Sequence, residues 1–347
     1  MKRIYSIITL LIIASHCMAQ VGGSQIFTFL KLPSSARVAS LGGSCIQVMD
    51  DDVANVQQNP ALLNPQMHLQ LSTNWVNYLA DINFGYFGTA YSLKKYGNIA
   101  VGLQYINYGT FNGYDESQNS LGTFKAGENA FNVAYSKAYN KWVNFGVGAK
   151  YISANYGGNR STGLAMDAGV NVRSGDSLFD AAVVFRNFGT QFNTFNGVDA
   201  KEPLPYELQA GLSFKPRHMP IRFLFTGTNL QTKATTYINN NKPKQISLET
   251  GEEIEPKVTV GKKIFSHLTF ATEFILGKSL RLRFGLNPRM RNDMKLDEVR
   301  GLSGFSWGFG FKVKRFSISY GGAMYTPGIT TGHFSLQLNL DNFRWAK

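Results

Sequence analysis

Three consecutive carboxylates, Asp50, Asp51 and Asp52, stand a few residues before Asn59-Pro60-Ala61 and are the first part of this chain that invites a chemical reading. Calcium would take ligands from such oxygens, but an EF-hand loop also needs a Gly at its sharp turn and a distant Glu, and this spacing has neither. The structural alternative is simpler. Asp accepts hydrogen bonds from free backbone N–H groups at a helix start and suits the positive end of its dipole, so the acids fit the beginning of a short helix over 53–58. Asn59-Pro60 then ends that helix, because a residue before Pro avoids the α region.

Other matches to reactive motifs fail on context. Gly304-Phe305-Ser306-Trp307-Gly308 fits the G-x-S-x-G elbow, which belongs on a strand-turn-helix with a distant Asp and His. Here it lies inside an alternating apolar-polar run, so Ser306 reads as a polar residue on one strand face. Ser92-Leu93-Lys94-Lys95 and Ser153-Ala154-Asn155 imitate two penicillin-recognising motifs without the Lys-Thr-Gly those enzymes need. His68, His218, His267 and His333 are scattered and lack the paired spacing of a zinc site. No Gly-rich phosphate loop joins a strand to a helix. No catalytic residue, metal site or cofactor is expected.

The elements that position these residues follow from the rest of the chain. Lys2 and Arg3, an apolar run from Ile7 to Ala14 and the small residues before Gln20 describe a signal peptide over 1–19, cut after Ala19, and hence export through the Sec route. Cys45 is then left without a cysteine partner. Of 347 residues, 35 are Gly, 13% are aromatic and only 16% are charged. The net charge of +13 is spread along the chain without a basic cluster, which fits loops beside an anionic membrane better than a nucleic-acid partner.

From about residue 67 the chain alternates with period 2. Val143, Phe145, Val147 and Ala149 oppose Asn144, Gly146, Gly148 and Lys150, and Phe305, Trp307, Phe309 and Phe311 oppose Ser306, Gly308, Gly310 and Lys312. Such runs of about 9–11 residues have the length of a tilted strand crossing a bilayer, apolar toward lipid and polar or small toward the lumen. The expected fold is an all-β, transmembrane antiparallel β-barrel of about 14 strands over 67–347, with residues 20–66 as an N-terminal plug. Short turns alternate with long connections at 109–128, 188–204, 232–266 and 289–303, expected outside the cell; Lys257–Phe265 has strand-like alternation but is assigned to a loop to keep the strand number even. Asp50, Asp51, Asp52, Asn59 and Pro60 are expected to shape the plug, with the acids near the lumen bases Arg281 and Arg283.

Several stretches, in order, carry a resemblance: Phe27-Thr28-Phe29-Leu30-Lys31-Leu32-Pro33, Ser35-Ala36-Arg37, Leu41-Gly42-Gly43, Asn59-Pro60-Ala61-Leu62-Leu63, Tyr108-Gly109-Thr110-Phe111, Gly122-Thr123-Phe124 and Leu204-Pro205. With Gly304 to Gly310, they resemble the PorV/PorQ group of the type IX secretion system, the PorQ members above all, within the FadL-like outer-membrane barrels. The resemblance implies a non-enzymatic outer-membrane scaffold that holds an exported partner of the PorZ type, together with other attachment-complex barrels, where secreted cargo is attached at the surface. Loop aromatics Phe111, Tyr114, Phe192 and Phe195 are then the candidate anchors, since such side chains dominate interface energetics. The FadL-like resemblance also implies an alternative, a transporter of hydrophobic compounds; a soluble exported hydrolase would require the barrel pattern to be accidental.

Overall fold

The computed structural model describes residues 25–78, 81–197, 200–232, 245–246, 253–254, 260–293, 301–326 and 329–340. The expected signal peptide lies outside them. Fourteen antiparallel strands close into one barrel. They are β1 (Gln70–Asn77), β2 (Asn83–Ser92), β3 (Asn98–Tyr114), β4 (Ser120–Ala138), β5 (Val143–Tyr156), β6 (Asn159–Arg173) and β7 (Phe179–Asn193). The second half comprises β8 (Glu207–Phe214), β9 (Ile221–Gly227), β10 (Leu268–Leu276), β11 (Leu280–Leu286), β12 (Phe305–Val313), β13 (Phe316–Thr326) and β14 (Ile329–Asn339). Each pairs with its neighbours in sequence, and β1 closes the ring on β14 from Gln70↔Asn339 to Asn77↔Gly332.

Burial alternates along these strands as the sequence does. On β4 the run from Ala126 to Ser136 is alternately buried and outward, with Phe131, Val133 and Tyr135 exposed on the outer wall. In a bilayer that apolar wall meets lipid, so the exposed side chains form a belt rather than a solubility defect. No helix among the described residues is long and apolar enough to cross a membrane, as a barrel requires none.

The expected strand number and order hold, but several loop boundaries change. Most of 109–128 is not loop: β3 and β4 pair up to Tyr114↔Ser120, far above the last rungs that β3 shares with β2 (Asn83↔Asn107) and β4 shares with β5 (Ala126↔Tyr156). The start of 188–204 is likewise strand, since β7 runs to Asn193. Part of the strand-like Lys257–Phe265 stretch is helical: α2 covers Val260–His267. Two further short helices are α1 (Ala36–Ser40) and α3 (Pro288–Asp293).

Residues 25–69 fill the barrel as a hatch. Leu30, Val38, Leu41, Ile46, Leu62, Leu63 and Met67 are fully buried within it.

Candidate functional site

The hatch is built from repeated local caps. Ser35 accepts from the Val38 N–H at 3.2 Å and starts α1. Asp52 Oδ1 accepts from Ala54 N–H at 3.1 Å, Asn59 Oδ1 from Ala61 N–H at 2.9 Å and Asn64 Oδ1 from Gln66 N–H at 2.9 Å, each starting a single turn of 3-10 helix. Pro60 and Pro65 occupy the first helical position of two of these turns, where no N–H is needed. Short turns of this kind leave many backbone groups unpaired, and where the hatch is buried against the wall those groups need partners.

The polar face of the barrel supplies them. Gln104 donates to the Phe29 carbonyl at 2.9 Å, Ser136 to Leu63 at 2.6 Å, Asn144 to Ala61 at 2.6 Å and Asn171 to Gln47 at 2.9 Å. Ser335 Oγ accepts from Ala36 N–H at 2.8 Å, while the Ser306 hydroxyl accepts from Gly42 N–H and donates to the Ser40 carbonyl, both at 3.0 Å. The serine of the G-x-S-x-G match therefore tethers the hatch. Lumen-facing glycines admit its backbone: a Cβ on Gly146 would lie 2.2 Å from the Pro60 carbonyl carbon, and one on Gly321 2.3 Å from the Ala36 oxygen.

Toward the short-turn end, an ionic cluster locks hatch to wall. Arg37 Nη1 lies 2.5 Å from Asp50 and 3.7 Å from Asp52, and its Nη2 lies 3.2 Å from Glu273. Glu273 also pairs with Arg222 and Arg283, both at 2.9 Å. Three arginines thus face three carboxylates, all but Arg222 and Asp50 nearly sealed from solvent. Burial alone would raise the Asp50 carboxyl, but Arg37 and Arg222 outweigh it and hold it below its ordinary range. Asp52 has the reverse balance: burial outweighs Arg37 and pushes it up to about 6. The Cys45 thiol, buried beside Arg37, is pushed up to about 12 and is therefore unreactive while the hatch is seated.

Toward the long-loop end the contacts become apolar. Ile26, Phe27, Phe29 and Leu30 from the hatch pack on Val76, Phe84, Ile106, Ile152 and Leu204, with Tyr108, Tyr156 and Phe195 around them. Beside this cluster the wall is irregular. Met166↔Phe188 and Ala168↔Phe185 leave Arg186 and Asn187 together opposite Asp167, a bulge that turns both inward, with Asn187 at a left-handed φ of 55°. Lys150 anchors the bulge at 2.7 Å from both Asp167 and Asn187, and Arg186 donates to Gln58 of the hatch at 3.0 Å. Ladder pairing of β7 with β8 ends at Arg186↔Glu207, so Asn187–Asn193 keeps a strand partner in β6 and faces a seam in the ladder at the height of the apolar cluster, crossed by side-chain bonds: Gln191 Oε1 accepts from the Glu202 N–H at 2.9 Å and Asn187 donates to the Pro205 carbonyl at 3.5 Å.

The structure spreads the expected site residues over different tasks. Asp52 and Asn59 are caps, Asp50 belongs to the ionic cluster and Asp51 reaches only the exposed Lys312. Arg283 joins the cluster. Arg281 does not: it sits beside the β10–β11 turn and donates to the Gly277 and Leu280 carbonyls at 3.3 and 3.2 Å. Phe111 and Phe124 stack at 5.4 Å on the projecting hairpin, where Tyr114 is exposed, and Phe192 is exposed on upper β7. Phe195 instead packs on Tyr156 at 4.8 Å and lines the apolar cluster, because its chain folds over the lumen. Sequence reasoning missed Arg37, Arg222 and Glu273; a single acid on the lumen face of β10, level with Arg222 and Arg283 on its two neighbours, was the available signal.

No protein-family model and no curated protein matches the chain. Among solved structures it is similar to the Pseudomonas putida toluene transporter TodX, with 11% identity, 88% of this chain and 96% of that one covered, and a TM-score of 0.50. A Pseudomonas aeruginosa FadL homologue aligns at 9% identity over 88% and 98% of the two chains with a TM-score of 0.49. The Ralstonia pickettii toluene transporter TbuX aligns at 9% over 90% and 100%, with a TM-score of 0.48. At these identities the likeness speaks to architecture alone: the chain shares the barrel fold of TodX.

Proposed function

We propose that this protein is a FadL-like outer-membrane transporter of small hydrophobic molecules, non-enzymatic and delivered by Sec-type export through the periplasm. One observation carries the reading: an apolar, aromatic-rimmed cluster in the outer half of the lumen abuts the β6–β7 bulge and the upper part of β7, whose ladder to β8 has ended. A hydrophobic guest gains nothing from the polar, ion-locked lower lumen, but at the seam it meets apolar side chains and a wall that lacks part of its hydrogen-bond ladder. TodX, whose fold is similar, is described as a toluene transporter. The test is uptake of a fluorescent fatty acid and of toluene into vesicles holding the purified barrel. Ala165→Phe, which fills the cluster beside the seam, should slow uptake about tenfold; uptake no faster than in protein-free vesicles would overturn the reading.

A second reading rests on a different feature. The β3–β4 hairpin rises beyond both neighbouring strands with both edges unpaired and Phe111, Tyr114, Leu121 and Phe124 exposed. A free two-stranded hairpin with exposed aromatics is a docking element by its composition. This favours a surface scaffold of the type IX kind, holding an exported PorZ-type protein alongside other attachment-complex barrels. Purification of a tagged copy in mild detergent separates the two. A stoichiometric exported partner that is lost on deleting 109–125 supports the scaffold, whereas a barrel recovered alone with bound fatty acid supports transport.

A further inference from the structure

On the outer wall, five strands meet in a row of small and branched apolar residues: Val170 on β6 is level with Val183 on β7, Ala210 on β8, Gly227 on β9 and Leu268 on β10. Elsewhere the same face carries large side chains such as Phe131, Phe145 and Phe309. The row is the floor of a groove of about 460 Å³, with Leu212, Phe225 and Leu230 standing along its sides. That volume falls within the range of about 300–1,000 Å³ typical of small-molecule sites. Every residue lining it is apolar.

Three of the strands that form the groove are short, as β1 and β11 are elsewhere in the wall. β8, β9 and β10 have 8, 7 and 9 residues, against 19 in β4 and 15 in β7. A tilted strand needs about 9–11 residues to cross the hydrocarbon core, so these strands stand at or below the lower end of that length. Above β10, α2 continues the outer apolar surface with exposed Ile264 and Phe265. Phe265 lies 5.9 Å from Phe270, which lies 5.9 Å from Phe225 on the side of the groove.

We propose that this groove is a lipid-binding site that holds one acyl chain of a bilayer lipid. The occupant follows from the position. The groove opens sideways within the apolar belt rather than into the lumen or an aqueous loop region, and it offers no polar group to a protein segment whose backbone would need hydrogen bonds. A flexible hydrocarbon chain satisfies both constraints, and it thickens the wall where the strands are short. The site does not depend on transport through the barrel.

The test uses full-length mature barrel in vesicles of phosphatidylethanolamine and phosphatidylglycerol containing phosphatidylcholine with a diazirine on one acyl chain. After photolysis, cross-links located by mass spectrometry should be at least fivefold denser in 170–183 and 208–230 than on the outer face of β4 and β5. Ala181→Phe/Ala210→Phe, which fills the groove, should lower them to the level of that control wall, with folding checked by heat-dependent gel mobility. If the double variant does not fold, Ala210→Leu alone decides in the same way. Wild-type labelling equal to the control wall, labelling unchanged in the filled variant, or a protein cross-linked to the groove in native membranes in place of lipid would each overturn the proposal.

Discussion

The two ends of the hatch are held by opposite kinds of force. The short-turn half depends on charge: Arg37, Asp50 and Glu273 meet within 3.2 Å in a site where each needs the others. The long-loop half depends on apolar contact, with Phe27, Phe29 and Leu30 packed against Phe84, Ile106 and Ile152. Buried charge pairs are directional and fail abruptly when one partner is removed, because an unpaired charge remains. Apolar contacts are non-directional and exchangeable, so another hydrophobic molecule can stand in for them. Under the proposed transport reading, a hatch locked at one end and greased at the other would admit an apolar guest without leaving the barrel.

Cys45 reports on that arrangement, since it is buried between the hatch and the wall and its thiol is held protonated. The largest expected effect is Arg37→Ala, which removes the arginine paired with Asp50 and one of the three on Glu273 and should cost about 3–5 kcal/mol. Maleimide labelling at Cys45, read by mass spectrometry, should accelerate strongly, and residues 25–69 should become open to protease. Protection equal to wild type would mean that the ionic half is not the lock. Leu30→Ala should cost about 2–5 kcal/mol through lost apolar contact and a cavity, yet leave Cys45 nearly as protected because the lower lock persists. If it released Cys45 as fully as Arg37→Ala does, the two halves would not be separable.

A smaller, pH-dependent effect is expected at Asp52. Its carboxyl titrates near 6 in the seated hatch and near 4 when free, so the seated state binds more protons between those values and hatch seating weakens as pH rises through that window. Asp52→Asn keeps the cap oxygen. Its Cys45 protection should match wild type at pH 4 and exceed it at pH 7; a difference of the opposite sign would contradict the burial-dominated environment. Asp50 works in the other direction, contributing stability that is present above the ordinary carboxylate value and is lost as pH falls from there down through its lowered value. The smallest effect is Asp51→Ala. Its partner Lys312 is exposed, and pairs of that kind are worth about 0–1 kcal/mol, so hatch protection should be unchanged in the same labelling assay.

The legible parts of this protein were those written in local pattern. Alternation in β5 and β12 marked the lumen and lipid faces without knowledge of any neighbour, and Asp52 and Asn59 could be read as helix punctuation because caps act over two or three residues. The ionic cluster was only half legible. Arg283 lies on an alternating strand and could be placed toward the lumen, but Arg37 meets Glu273 across 236 positions of sequence, and no local rule assigns that contact. Arg281 shows the converse, since the same alternation put it on the lumen face while its place at a turn kept it from the acids.

By itself, the sequence determined a closed antiparallel barrel with an N-terminal segment rich in caps and turns, because strand periodicity, turn chemistry and strand length are all local quantities. Only the tertiary structure decided that β3 and β4 climb past their neighbours, that β7 bulges at Asn187, that Phe195 turns inward and that Val170, Ala210 and Gly227 line up into a groove. Each depends on register between strands. A shift of one residue between neighbours leaves every local pattern intact yet changes which side chains share a level and a face.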